Sequence, residues 1–474
     1  MNLQVKEFFD NKKVQTTLEY LRIAILAVIG LRYLYLLLIF SFGRGYLLTK
    51  NQPDILDIAP YYMAGQILKN ADGSKVYDYK AQEKYAIKIF LPYLQKANPK
   101  ELAEIVSINK AHKKTLLNRK GVNSYFYYYP PNTLPILYLF SVFSISNLFI
   151  IINFLSLLAL SLALFLGLKN YWIEKKNQNF IIVFLASLIV FSPVIENIYN
   201  GQIALLCCLS FYFYYYFAKK QKNFLGGLFL SICLFKPQLG LPLLLIPFLL
   251  KQKQIVLYTA LISCILCILA YFLIGFEGYK DYIISNLQTL NFTQFGSHVH
   301  PVIKPIYPIH QIILWINQQN NYCNLSLKPT MDLIVNIWFG ICILSMFCIF
   351  KFTSLKLNEK VFLGSLLALL AIQYHYSFDY GLIISSLLIL FDDNGYKHFR
   401  KLLAFFILVF VLLLNIIGFI FSLQKIAFFS FSYEFLDIFS GSVEFFVLFI
   451  STIFLLVFYM LTRPVIENNE IKAY

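Results

Sequence analysis

Charge is what this sequence has least of. Only 14% of its 474 residues are Asp, Glu, Lys or Arg, far below the roughly one quarter of a soluble globular domain. With 59% hydrophobic residues the chain cannot clothe a water-facing surface. Many apolar runs approach or exceed the ~18–20 residues that span hydrocarbon. A membrane barrel would instead show ~10-residue segments of alternating character. The composition therefore predicts an all-α polytopic membrane protein.

Other absences narrow the function. There is no P-loop, no G-x-G-x-x-G and no soluble α/β segment to hold a nucleotide, so no cofactor is expected. The first apolar run, 21–41, is longer than a signal-peptide core, contains Arg32 and precedes no A-x-A site, so it reads as a retained helix. Acidic residues number 24 against 40 basic ones, for a net charge of +16. Nucleic-acid binding needs a basic face with base-reading elements. Here the lysines lie mostly in short loops between apolar runs, and no nucleic-acid partner is expected. Most of the eight cysteines, among them Cys207, Cys208, Cys264, Cys267, Cys342 and Cys348, fall inside apolar runs. They read as small buried hydrophobes despite the C-x-x-C spacing of Cys264 and Cys267.

What is there is a topology written in lysines. Basic loops at 169–176, 219–222, 251–253, 351–360 and 397–401 belong with the N-terminus on the cytoplasmic side. Thirteen apolar runs would break that agreement. It is restored if 132–145, a short run headed by Pro131 and Pro135, enters the membrane without crossing, as a half helix buried in protein does. About twelve spans then form a single transmembrane domain over 1–474, with both termini inside. Residues 42–130 make a long first outer loop, and 277–330 a second. The stretch from Asp78 onward reads as an amphipathic helix, with Tyr85, Ile89, Tyr93 and Leu94 on one face. It lies on the outer leaflet or packs on its own domain.

Most of the unusual polar clusters fall on the outer side. Asp57 stands in D-x-x-x-Y-Y-x-A-G with Tyr61 and Tyr62, and is either a helix cap or a site residue. Asp54 is its weaker neighbour. Asn200 and Gln202 belong to an N-G-Q helix entry, whose amides suit sugar hydroxyls as well as a loop cap. Lys236 interrupts two apolar runs. Either it snorkels to the outer interface or it is functional, for example against a lipid phosphate. His375 and Asp379 head a late apolar helix. His298 and His300 form an H-x-H pair with no third metal ligand placed, so no metal is assigned; they read as loop histidines or as groups for substrate or proton work. Asp392–Asp393 reads as a solvated cytoplasmic loop.

Together, Asp57-x-x-x-Tyr61-Tyr62-x-Ala64-Gly65, the VYDY at 76–79, YYYPPNTLPILYLFS at 127–141, NGQI at 200–203, the segment 226–250 around Lys236 and FDYGLII at 378–384 resemble glycosyltransferase family 87. That family belongs to the GT-C class of polyprenyl-phosphate-sugar-dependent membrane enzymes. The resemblance runs from about residue 50 to 392. It implies a GT-C-like bundle, Asp57 as the base at the outer end of the first helix, and Lys236 near the donor phosphate. Its best-known cargo is mannose, which makes a hexosyltransferase of the cell envelope the expectation. One departure is visible: Ala204 stands where the family usually has Asn.

The chemistry suits the position. Outside the cytoplasm no nucleotide sugar is available, so the donor must be lipid-borne, and the acceptor is a lipid-linked or glycan hydroxyl. One carboxylate serves a single inverting displacement; a retaining route would need a second close by. A cation stabilises the leaving phosphate, with Lys236 first and His375 or Arg44 as helpers. Asp54, Tyr61, Tyr62, Asn200, Gln202, His298, His300 and Asp379 are the expected substrate contacts. Two other classes compete. A polyprenyl-linked glycan or lipid flippase would show internal repeats and broken helices at the midplane. An O-antigen ligase or polymerase would carry its main, arginine-bearing outer loop late in the chain. Asn, Lys, Ile and Phe abundance points to an AT-rich bacterial genome, and so to the inner membrane.

Overall fold

A computed structural model describes residues 42–51, 56–70, 73–97, 127, 129–173, 192–290, 328–353, 355–371, 379 and 381–391. Every regular element among them is helical. The first described helices are α1 (Arg44–Asn51), α2 (Ile58–Lys69) and α3 (Tyr79–Ala97), followed by α4 (Leu134–Phe140). Then come α5 (Ile145–Ile173), α6 (Ser192–Asn200), α7 (Ala204–Lys219), α8 (Asn223–Cys233), α9 (Pro237–Leu249) and α10 (Lys253–Leu290). The last described are α11 (Lys328–Phe352), α12 (Leu357–Ala371) and α13 (Leu382–Phe391). Single 3-10 turns sit at Gly73–Lys75 and Pro131–Thr133.

Two helices are long and apolar enough to cross a membrane, over Ile145–Lys169 in α5 and Lys253–Ser285 in α10. Each turns a stripe of large apolar side chains outward: Ile150, Phe154, Leu158, Leu162 and Phe165 on α5, and Leu257, Leu261, Ile265, Leu269 and Phe272 on α10. Such stripes are a liability in water and ordinary against lipid. Shorter apolar helices cover Asn223–Cys233, Pro237–Leu249 and Asn336–Phe352. Among the described residues, then, two full-length apolar helices stand where the sequence suggests many. The first run, 21–41, and the last two, from 402 onward, lie outside them.

The run at 132–145 forms only a seven-residue helix. That is about 10 Å of rise, too short to cross. The 277–330 segment does not begin as a loop. Gly275 takes φ 64° and ψ −172°, a conformation open essentially to glycine alone; it kinks α10, and the helix continues to Leu290. The cysteines also divide. Cys207, Cys208, Cys233 and Cys342 are buried, but Cys264 and Cys348 are exposed on helix faces, where lipid solvates a thiol as readily as a core does.

Buried apolar residues gather in two clusters. One joins α5 through α9, the start of α10, and α11, α12 and α13. The other joins α2, α3, α4, the start of α5 and Ala270 and Ile274 of α10. The amphipathic helix belongs to this second cluster. Gln82, Tyr85, Ala86 and Phe90 face inward while Lys80, Lys84 and Lys88 are exposed, so α3 packs on its own domain. Ile203 packs against both clusters, and the polar site lies at that seam.

Candidate active site

Asp57 occupies the N-cap position of α2 but does not act as a cap. Its backbone is already helical (φ −65°, ψ −13°) and its side chain makes no capping bond. The carboxylate instead meets the side-chain amide of Gln202. Gln202 is aimed by the turn between α6 and α7. Gly201 takes φ +65°, where any Cβ would also press on Phe149. The Gln202 N–H donates to the Asn197 carbonyl at 2.9 Å. The Asn197 side chain donates to the Pro193 carbonyl at 2.7 Å and accepts from the Leu205 N–H at 2.9 Å. Asn197 thereby closes the end of α6 and opens α7 with one side chain. The sequence reading missed it.

Tyr61 lies one turn after Asp57, on the same face of α2. Its hydroxyl donates to Gln202 Oε1 at 3.2 Å. That contact fixes the amide: with its oxygen toward Tyr61, its NH2 group points to Asp57. The Tyr61 ring is 4.8 Å from that of Tyr129, and their hydroxyls are hydrogen-bonded. Tyr129 is held from behind. The Tyr77 hydroxyl donates to the Tyr129 carbonyl at 2.7 Å. The buried Gln82 of α3 accepts from the Tyr127 N–H at 2.9 Å and donates to the Val76 carbonyl at 2.8 Å. The Tyr127 hydroxyl is bonded to that of Thr133.

On the other side lies an ion pair. Lys236, at the turn between α8 and α9, places Nζ 2.7 Å from Asp379 Oδ1, just ahead of α13. Lys236 is 1% and Asp379 0% exposed. Neither charge is stranded in apolar surroundings, which is what makes such burial tolerable. Lys236 therefore does not snorkel. It is held by Asp379, which the sequence reading had set beside the substrate without a partner. Both charges act on Asp57. Burial pushes the Asp57 carboxyl above its ordinary value of 3.8; the Gln202 hydrogen bond and Lys236 oppose this, and Asp379 adds to it. Within the constellation, Tyr61, Gln202, Lys236 and Asp379 are buried, while Asp57 and Tyr129 retain part of their surface.

The structure thus brings together Asp57, Tyr61, Gln202, Lys236 and Asp379, from positions up to 322 apart in number. Tyr62 turns away, to the side of α2 beside Tyr93. Asn200 ends α6, partly exposed. Arg44 opens α1, its side chain outside the described set. Asp54, His298, His300 and His375 also lie outside the described residues. Ala204, the departure from the expected Asn, is fully buried at the start of α7.

The sequence model of glycosyltransferase family 87 matches residues 127–372, more than half of the chain. The chain belongs to glycosyltransferase family 87. As a family 87 member it is a transferase that takes a sugar from a donor to an acceptor. The matched stretch contains Tyr129, Gln202 and Lys236, whereas Asp57 and Asp379 fall on either side of it. No curated protein and no solved structure matches the chain.

Proposed function

We propose that this family 87 glycosyltransferase moves a hexose, with mannose the first candidate, from a polyprenyl-phosphate donor to a lipid-linked or glycan hydroxyl. It does so by a single inverting displacement on the outer face of the inner membrane. The observation that carries the reading is the state of its two carboxylates. Asp379 is committed to Lys236, while Asp57 is partly exposed, oriented by Gln202 and raised in basicity by burial. Among the described residues, one available carboxylate beside a fixed positive charge suits a base-assisted displacement better than a covalent glycosyl intermediate.

In this reading Asp57 removes the acceptor proton as the acceptor oxygen attacks the anomeric carbon. The carbon–oxygen bond to the donor phosphate breaks on the opposite face. Lys236 supplies positive charge toward which the leaving phosphate's charge develops. The phosphate either shares the ammonium with Asp379 or takes its place. Helices α8 and α9 rise only about 16 and 20 Å, less than the ~30 Å of hydrocarbon. With the lysine loops that flank them inside, and about twelve spans in all, Lys236 is recessed below the outer surface. A donor anchored in the bilayer can present its headgroup at that depth.

The test compares membranes carrying wild type or Asp57→Asn, supplied with polyprenyl-phosphate-linked radiolabelled mannose. GDP-mannose serves as the parallel donor, with polyprenyl-phosphate charging blocked. Transfer from the lipid donor alone, reduced about 10²–10⁴-fold in the variant, is the expected result. Transfer that survives Asp57→Asn in folded protein removes Asp57 as the base. Transfer from GDP-mannose under the block removes the lipid donor.

A further inference from the structure

We infer that Tyr129 reads the transferred sugar, its phenolic oxygen accepting a hydrogen bond from one hydroxyl of the donor hexose. The inference rests on the transfer proposed above and adds a specificity residue to it. In an in-line displacement the base and the leaving phosphate lie on opposite faces of the anomeric carbon. A group situated between base and cation therefore contacts the sugar ring itself.

Tyr129 lies beside both groups. It joins Asp57 through an unbroken chain in which the Tyr61 hydroxyl donates to Gln202 Oε1 and Gln202 reaches the carboxylate. The charges of both Lys236 and Asp57 act on its hydroxyl. The Tyr61 hydroxyl spends its proton on Gln202 rather than on Tyr129. That leaves the Tyr129 oxygen with acceptor capacity, and a sugar hydroxyl is a donor. Exposure singles it out as well. Tyr61, Tyr77 and Tyr127 are buried at 2%, 1% and 0% exposure, while Tyr129 retains accessible surface.

Its placement is also over-determined. Tyr77 holds its carbonyl, Gln82 holds the backbone of Tyr127, and Pro130 and Pro131 stiffen the chain that follows. Tyr77 is in turn braced from α10, by Ser285 Oγ donating to its carbonyl at 2.9 Å and by the Tyr282 ring at 5.0 Å. Support of this kind is what a side chain needs if it is to discriminate by position.

The experiment measures kcat/KM for wild type and Tyr129→Phe with the polyprenyl-phosphate hexose that wild type uses, and with its monodeoxy analogues. One analogue is expected to cost wild type roughly threefold to tenfold and to cost Tyr129→Phe nothing further. On the parent sugar Tyr129→Phe should fall by the same factor, and the acid limb of its pH profile should stay in place. A residue that only supports the fold would lower all donors alike. Equal discrimination by the two proteins across the panel overturns the inference and leaves glycosyl transfer standing. So does a wild type indifferent to every monodeoxy analogue, a result that does not depend on how the variant folds. If wild type accepts no polyprenyl-linked sugar but uses a nucleotide sugar, the proposed donor fails and the inference fails with it.

Discussion

At Asp57 two demands conflict. The proposed base must be ionised, yet burial favours its protonated form. Gln202 relieves the conflict by donating to the carboxylate. Gln202→Leu removes a bond that favours the ionised form, so the proton is held to higher pH. The acid limb of kcat/KM should then move upward by roughly one pH unit, as a pH–rate profile would show. The stability sign runs the other way. A carboxyl whose folded value is raised loses stability as pH rises through the window above 3.8. Asp57→Asn, which carries no charge, is therefore expected to melt at a higher temperature than wild type at neutral pH while transferring sugar about 10²–10⁴-fold more slowly. A lower melting temperature would mean that Asp57 is structural. Why Asp57 could be singled out in the sequence and Tyr129 could not is a matter of information. A carboxylate beside an apolar run is rare in a chain with 24 acidic residues, whereas one tyrosine among 34 says little.

At the scale of elements, the α8–α9 turn and the head of α13 are joined by the Lys236–Asp379 pair, 143 positions apart. Lys236→Met takes the paired cation from a buried carboxylate and should cost about 3–5 kcal/mol. The double change Lys236→Met, Asp379→Leu should recover most of that in a detergent melting experiment, without recovering transfer. Recovery of transfer would remove Lys236 from the chemistry. In α10, Gly275→Ala meets no neighbouring atom, so its cost is backbone strain alone, about 1–3 kcal/mol. Among the described residues, the apolar helices and the shortness of the 132–145 helix were legible in the sequence because each is a local pattern. The ion pair was not, because a partner in space leaves no spacing in the chain; Lys236 announced only that it needed one. The kink was illegible for a related reason. Gly275 sits in an apolar run that reads as continuing into a loop, and only the backbone shows the helix resuming.

For the whole molecule, the prediction concerns sides of the membrane. In a cysteine-free background, Lys84→Cys on α3 should react with a membrane-impermeant thiol reagent added to intact cells. Gln221→Cys, between α7 and α8, should react only after the membrane is opened. The reverse pattern would place the candidate site on the cytoplasmic face and remove the case for a lipid-borne donor. Assembly from distant parts also sets a schedule. Asp57 is synthesised early, Lys236 midway and Asp379 late, so during its own manufacture the chain carries Lys236 before the carboxylate that pairs with it. A ribosome-bound fragment ending before residue 379 would carry Asp57, Tyr61 and Tyr129 without the Lys236–Asp379 pair. Sugar transfer should therefore begin only after nearly four-fifths of the protein has emerged, which keeps half-made enzyme from spending its sugar donor.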